Sequence, residues 1–393
     1  MPGLRYLTAG ESHGQALVGI LDGMPAGLSL TSEADIDPAL AERQKGYGRS
    51  HRQKIESDKA QILSGVRFGL TTGAPIALIL PNKDWQNWQE EMSVTGDRHA
   101  SSKPVMIPRP GHADLAGGVK YGHLDDLRNV FDRASARETG MRVALGAIAK
   151  KLLQVLGIES FSYVRSIGSV DAGSIDQRNL AQLSDQVANS SVRTFSETYE
   201  RQMIDAIDAA KAAGDTLGGT VETIVTGMPV GVGSTMQWDR KLDAKLAQAV
   251  MSIQAVKAVE IGDGVELARK PGSQSHDPIT LDAKQISRPT NHSGGIEGGM
   301  STGSPIIVRA AMKPISTLMN PLASVDLSTG DTTSAHIERS DVCAVPALSV
   351  IVEHVVALAL ADVLLETFGG DTVAELTDRV SIRRSAYQTF LQK

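Results

Sequence analysis

Three stretches of this chain gather side chains that can grip an anion and move a proton. The first, Arg43-Gln-Lys45-Gly-Tyr47-Gly-Arg49-Ser-His51-Arg52-Gln-Lys54, is strongly basic in a chain whose net charge is −6. A solvated charge run is the ordinary explanation of such a stretch. Gly46 and Gly48, however, let the loop fold around a ligand, and arginine forks match carboxylate and phosphate. The second, Arg109-Pro-Gly-His112-Ala-Asp114, lies among Pro104, Pro108 and Pro110. Its turn brings Arg109 near His112, where a surface histidine and a functional one are equally compatible with the pattern. In the third, Arg133 and Arg137 flank Ser135 at the start of a helix, so free amides and the helix dipole add to the guanidinium charge. Plain N-terminal capping by Ser135 is the alternative. His13, in Gly10-Glu-Ser-His13-Gly14 at the mouth of a strand, either faces a cleft or is a buried structural histidine.

What the sequence lacks narrows the chemistry. There is no Gly-x4-Gly-Lys-Ser/Thr loop, no Gly-x-Gly-x-x-Gly after a strand and no His-Glu-x-x-His, so ATP, Rossmann-type and zinc-protease chemistry have no support. A single cysteine, Cys343, excludes an internal disulfide framework and a cysteine-rich metal site, and no metal is expected. An acidic chain argues against a nucleic-acid footprint. With three Trp, six Tyr and six Phe in all, and Tyr47 alone in the basic stretch, an RNA-stacking platform is also missing. The amino terminus carries no signal-peptide pattern, and the apolar run 347–365 is broken by Glu353, His354 and Asp362, so a cytoplasmic protein outside the membrane is expected. What remains is a metal-free site with several arginines and at least two histidines, suited to a small polyanion in proton-linked chemistry. The residues alone do not identify a cofactor.

The elements that must position these groups are written twice. Gly14-Gln-Ala-Leu-Val-Gly-Ile-Leu-Asp-Gly-Met-Pro-Ala-Gly27 can be laid over Gly218-Gly-Thr-Val-Glu-Thr-Ile-Val-Thr-Gly-Met-Pro-Val-Gly231, each a strand ending in a turn. A helix follows in each case, over 32–44 and over 239–257; in the second, Leu242, Leu246, Val250, Ile253 and Val256 keep helical period. Gly69-Leu-Thr-Thr-Gly-Ala-Pro-Ile76 and Gly299-Met-Ser-Thr-Gly-Ser-Pro-Ile306 read as matching hairpins or tight strand connections. Asp132-Arg-Ala-Ser135 and Glu338-Arg-Ser-Asp341 each precede a long helix. The first of these, 135–156, opens on a Ser135–Glu138 capping box, and Asp341 could cap the second. That second helix, 347–368, is apolar nearly all round and ends at Gly369-Gly370, so it is buried on more than one side. The expectation is an α/β (α+β) sandwich: one domain over 1–370, built from repeats at about 10–157 and 214–368 with long helices between antiparallel sheets. A tail, 371–393, has no assigned role.

In this order the motifs Gly10-Glu-Ser-His13-Gly14, Arg43 with Tyr47-Gly-Arg49, Arg109-Pro-Gly-His-Ala-Asp114, Ser135-Ala-Arg-Glu-Thr139, Lys313-Pro-Ile-Ser-Thr317 and Glu338-Arg-Ser-Asp341 resemble those of the chorismate synthase family across residues 4–368. Ala134 stands where many members have serine. The resemblance implies a lyase that removes phosphate from 5-enolpyruvylshikimate 3-phosphate by anti-1,4-elimination. It also implies a requirement for reduced FMN and a homotetramer. It assigns Arg43, Arg49, Arg109, Arg137 and Arg339 to the substrate. Arg133, Ala134, Ser135, Gln254, Ala255, Gly298, Lys313, Pro314, Ile315, Ser316, Thr317 and Arg339 go to FMN. His13 becomes the acid at the departing phosphate, His112 the proton donor to the reduced flavin, and Asp341 the carboxylate beside flavin N5. NADPH, through Arg43 and Arg49, is a reductant in some members. Here no separate reductase module is visible, so flavin reduced by an external reductase is expected, with the basic loop around Arg49 closing as a lid.

Overall fold

The computed structural model describes residues 3–49, 58–98, 102–175, 180–282, 285–338 and 340–392. The principal strands are β1 (Arg5–Ala9), β2 (Ala16–Asp22), β3 (Gln61–Ile62), β4 (Ile76–Pro81), β5 (Glu159–Ile167), β6 (Val170–Asp171), β7 (Gly219–Thr226), β8 (Val256–Ile261) and β9 (Ile306–Met312). They form one sheet in the order β1-β2-β4-β3 and another in the order β8-β9-β7-β5-β6, every neighbouring pair antiparallel. Without the short β6, the order β5-β7-β9-β8 repeats β1-β2-β4-β3. Each half also carries a small hairpin, Val66–Arg67 with Leu70–Thr71 and Ile296–Glu297 with Met300–Ser301. Both turn through two residues with positive φ, Phe68 (51°) then Gly69 (76°), and Gly298 (59°) then Gly299 (83°). Such a pair matches the right-handed twist of the flanking strands.

Apart from a single turn at Gly272–Ser275, the α-helices among the described residues are α1 (Asp37–Gln44), α2 (Asp114–Tyr121), α3 (Arg128–Phe131), α4 (Thr139–Val155), α5 (Leu180–Asn189), α6 (Glu197–Ala212), α7 (Leu242–Met251), α8 (Val345–Phe368) and α9 (Val373–Gln392). Period-two alternation turns Leu17, Gly19 and Leu21 of β2, and Ile76, Leu78 and Leu80 of β4, inward onto α4. α8 packs against α4 on one side and against β5 and β7 on the other, so the layers run sheet, helix pair, sheet. This explains the all-round apolarity of α8. It is long and apolar enough to cross a bilayer, but 89% of its most apolar stretch is buried in the core.

Three local expectations change. The helix read over 239–257 stops at Met251, and the chain reverses through Ala255, whose φ is 68°, before β8 starts at Val256. Ile253 and Val256 stay in the core, so the apolar rhythm runs on through the reversal. The capping box forms by half. Ser135 Oγ accepts from Arg137 N (3.2 Å), while Glu138 turns to Thr8, Arg142 and Gln254. Asp341 is not a cap, because α8 is preceded by Ala344.

The core also holds two adjacent ionisable side chains on α8, Glu353 and His354. Burial pushes the His354 imidazole down to about 4, and its Nδ1–H donates to the Val350 carbonyl at 2.7 Å. Burial raises Glu353, but the Lys150 ammonium and hydrogen bonds from Lys150 and Ser162 overcome it and hold the carboxyl at about 2. An unfolded histidine takes its proton near pH 6.5. The stability contributed by neutral His354 is therefore complete above that pH and is lost as pH falls from about 6.5 toward about 4. Glu353 adds its own loss as pH falls from the ordinary glutamate value toward about 2. Melting temperature should fall over the first window, and His354→Gln, whose amide can still reach the Val350 carbonyl, should flatten that fall. Equal pH slopes in the two proteins would refute this.

Candidate active site

A cavity of about 550 Å³ opens where both long helices begin, bounded by the starts of α4 and α8, the ends of α1 and β9, and the 252–256 reversal. Arg43, on the last turn of α1, is buried and donates to Thr139 Oγ1 (2.9 Å) and the Ala136 carbonyl (3.1 Å). The Gly46–Arg49 loop is fixed because the Gly48 carbonyl accepts from Val342 N (2.9 Å). Arg49 thereby sits 3.1 Å from Asp341 in an ion pair. Tyr47 points elsewhere, donating to Asp208 on α6 at 2.9 Å, and offers no stacking face to a ligand. Arg137 forks onto Asp58 at 2.6 and 2.7 Å. Arg109 forks onto Asp114 at 2.9 and 3.2 Å, with its guanidinium 3.6 Å from the centre of the Phe131 ring.

Each histidine is oriented by a carboxylate. His112 Nδ1 lies 2.5 Å from Asp114 Oδ1 and 2.9 Å from Arg109 Nη2. A guanidinium only donates, and Nδ1 cannot donate to the carboxylate and accept from the arginine at once; the shorter contact assigns Nδ1–H to Asp114. Burial raises the Asp114 carboxyl, yet hydrogen bonds from His112 and Arg109 hold it well below the usual carboxylate range. His13 Nδ1 lies 2.8 Å from Asp132 Oδ1, and its ring stacks on Trp88 with centroids 3.8 Å apart. In both pairs Nδ1 faces the carboxylate, and both rings line the cavity.

Along the second wall, Lys313, Pro314, Ile315, Ser316 and Thr317 follow β9 and line the cavity with Gln254, Ala255, Ala134 and Ser135. Burial, with Lys257 nearby, lowers the Lys313 ammonium, which donates to the Gly111 carbonyl. Buried Gln254 Oε1 has no hydrogen-bond partner, and Ala255 holds a backbone conformation unusual for a residue with a side chain. An orphaned acceptor beside lysines and a helix start fits a flat, hydrogen-bonding, phosphorylated group such as FMN. Two expected FMN residues do not line this cavity. Arg133 is turned to the Thr8 carbonyl (3.1 Å), and Gly298 forms the hairpin turn near Thr235. Arg339, His51, Arg52 and Lys54 lie outside the described residues.

Several residues that position the site were given no such role from the sequence: Asp58, Trp88, Phe131 and Lys257, and also Asp132, Glu138 and Glu338, which the sequence showed only as parts of motifs or a cap. Asp58 is 79 residues from its partner Arg137, and Asp132 is 119 from His13, so no local spacing marks either. Among the described residues no cluster of His, Cys, Asp and Glu is arranged to hold a metal ion.

The chorismate synthase family model matches residues 4–365. A chorismate synthase from Chlorobaculum tepidum is 51% identical over 399 residues, covering 99% of this chain and 100% of that protein. One from Bacillus cytotoxicus is 54% identical over 373 residues, covering 94% of this chain and 95% of that one. A crystal structure of chorismate synthase superposes with a TM-score of 0.78 at 40% identity, covering 99% of this chain and 98% of the other. With matches of that extent across a fold and cavity of this kind, the chain belongs to the chorismate synthase family of lyases.

Proposed function

We propose that the cavity converts 5-enolpyruvylshikimate 3-phosphate to chorismate by anti-1,4-elimination of phosphate, with reduced FMN bound beside the substrate. The observation that carries this reading is the convergence of Arg43, Arg49, Arg109 and Arg137 with His13 and His112 on one cavity at two helix starts. The arginines bind the phosphate and carboxylates, and Arg339 belongs with them by its place in the motif. Phosphate leaves an unactivated allylic carbon, so the site must neutralise a growing dianion. Guanidinium forks and helix N-termini supply that charge without reorganising, and His13 supplies the proton from Nε2. Gln254, Ala255, Ala134, Ser135 and residues 313–317 would hold FMN. When bound and reduced, FMN supplies electron density to the departing C–O bond and recovers it, so the reaction has no net redox change. His112 is the proton donor at the reduced cofactor, and Asp341 the carboxylate beside its N5.

The same reading takes the chain as one domain written twice, working in the cytoplasm; among the described residues, the one helix long and apolar enough to cross a membrane is used up by the core. Arg43 and Arg49 share the cavity with the substrate and FMN residues, so NADPH held by them would compete for that space. This favours flavin reduced by an external reductase. A homotetramer is supported by the outer face of the first sheet. There Leu7 and Ile20 are 65% and 41% exposed, whereas the second sheet buries Tyr163 and Ile224 in a cluster with Val187 of α5. The test is an anaerobic assay with photoreduced FMN and 5-enolpyruvylshikimate 3-phosphate, following chorismate absorbance. Product should form only with reduced cofactor; its absence under those conditions would overturn the reading.

A further inference from the structure

If His13 is the acid at the departing phosphate, something must decide which of its nitrogens faces the substrate. Asp132 follows α3, and its carboxylate is fully buried, with Oδ1 2.8 Å from His13 Nδ1. The same residue's backbone carbonyl accepts from Ser12 N at 3.0 Å. One residue therefore holds the Gly10–Gly14 loop by its main chain and the ring by its side chain. The other carboxylate oxygen, Oδ2, is buried and has no hydrogen-bond partner. A carboxylate only accepts, so the nitrogen opposite Oδ1 must carry hydrogen. The plane of the ring is set independently. Trp88 stacks on it with an interplanar angle of 29°, and the Trp88 indole N–H is tied to Asp84 at 2.9 Å. Glu338, on the segment leading to α8, is the second carboxylate whose charge reaches His13, and Arg128 lies 5.3 Å from the Trp88 ring centre. Neither makes a hydrogen bond with the imidazole that could substitute for Asp132.

We propose that Asp132 is the positioning residue of this lyase: it keeps hydrogen on His13 Nδ1, so that the acid form, protonated on both nitrogens, gives its Nε2 proton to the leaving phosphate and is left as the neutral Nδ1–H ring. The proposal rests on the acid role of His13 and adds a residue to which the family resemblance gave no role. Asp132→Asn keeps size and shape but offers an amide N–H₂ that can donate to Nδ1, which favours hydrogen on Nε2 in the neutral ring. The corresponding change in a serine-protease triad acts by this tautomer error.

The test compares Asp132→Asn and His13→Ala with the parent holoenzyme, in steady-state assays and by ¹⁵N-histidine NMR. In the parent, the neutral His13 ring should show a protonated Nδ1 and a bare Nε2. Asp132→Asn should lower kcat by about a hundredfold or more, within the range of general acid catalysis, with KM changed less than about threefold, and should reverse the tautomer signature. A parent ring carrying hydrogen on Nε2 would overturn the proposal even if the variant did not fold. Parental kcat in Asp132→Asn would also overturn it, as would a loss of kcat with an unchanged tautomer. His13→Ala separates the two layers: if it turns over normally, the acid role itself fails. If it is inactive while Asp132→Asn is normal, only the positioning role fails.

Discussion

Replacing His112 with alanine should lower turnover by about a hundredfold to ten-thousandfold, the usual span for a general acid, and leave the fold in place. The geometry separates the two effects. His112 sits in the turn after Pro110 and Gly111, with its side chain 18% exposed. Its neighbour Arg109 is held independently by both oxygens of Asp114 and by the Phe131 ring, so it keeps its position when the imidazole is gone. What is lost structurally is one hydrogen bond to an ionised partner, worth about 1.5–3 kcal/mol at most and partly replaced by water at this half-open position. An anaerobic assay beside a thermal melt reads both quantities. A loss of activity matched by a large loss of melting temperature would make His112 a structural residue.

Gly146→Ala should destabilise the protein by about 3 kcal/mol, near the upper end of overpacking costs, and lower its melting temperature by on the order of 5 °C. On an exposed helix the same change would gain about 1 kcal/mol from helix propensity. Here the propensity gain loses, because an added methyl carbon would lie 2.5 Å from the His354 carbonyl oxygen and 2.6 Å from its Cβ. That neighbour is the backbone of α8, which cannot retreat from α4 without pressing into β5 and β7. Gly19→Ala is the informative control. Its methyl would meet the sulfur of Met141 at 2.4 Å, an unbranched side chain that can swing aside. Calorimetry should rank the Gly146 variant well below the Gly19 variant. The reverse order would show that the helix crossing has more room than its geometry allows.

The elements legible in the sequence are those whose signals are local. The two matched strands, the hairpins at Gly69 and Gly299 and the two long helices each declare themselves within a dozen or so residues, by period, by turn chemistry or by a glycine stop. The end of α7 did not, because Ile253 and Val256 stay core-facing through a chain reversal made by Ala255, a residue with no turn signature. The tail carried no motif, yet it forms α9, which buries Leu376 and Val380 at helical spacing. Arg384 on α9 donates to the carbonyls of Leu156 (2.9 Å) and Gly227 (2.6 Å), one from each half of the chain. At the site, residue types that bind anions could be listed, with Asp114 close by Arg109 in the same motif, but the carboxylates that reach their partners from far along the chain could not. Asp58 and Asp132 reach their partners only through the tertiary fold, and Glu138 looked like a cap because its real partners, Thr8 and Gln254, are remote in sequence.

Because α4 and α8 both begin at the cavity, part of the attraction for substrate comes from backbone dipoles built into the fold at short range. The arginines act over distance as well. Their reach through solvent shrinks from about 30 Å at 0.01 M ionic strength to about 8 Å at 0.15 M, whereas the helix ends act only across the first turn. Capture is thereby divided in time. Salt slows the arrival of the anionic substrate and leaves its departure nearly untouched, so a loss of affinity at high ionic strength should reside in the association rate.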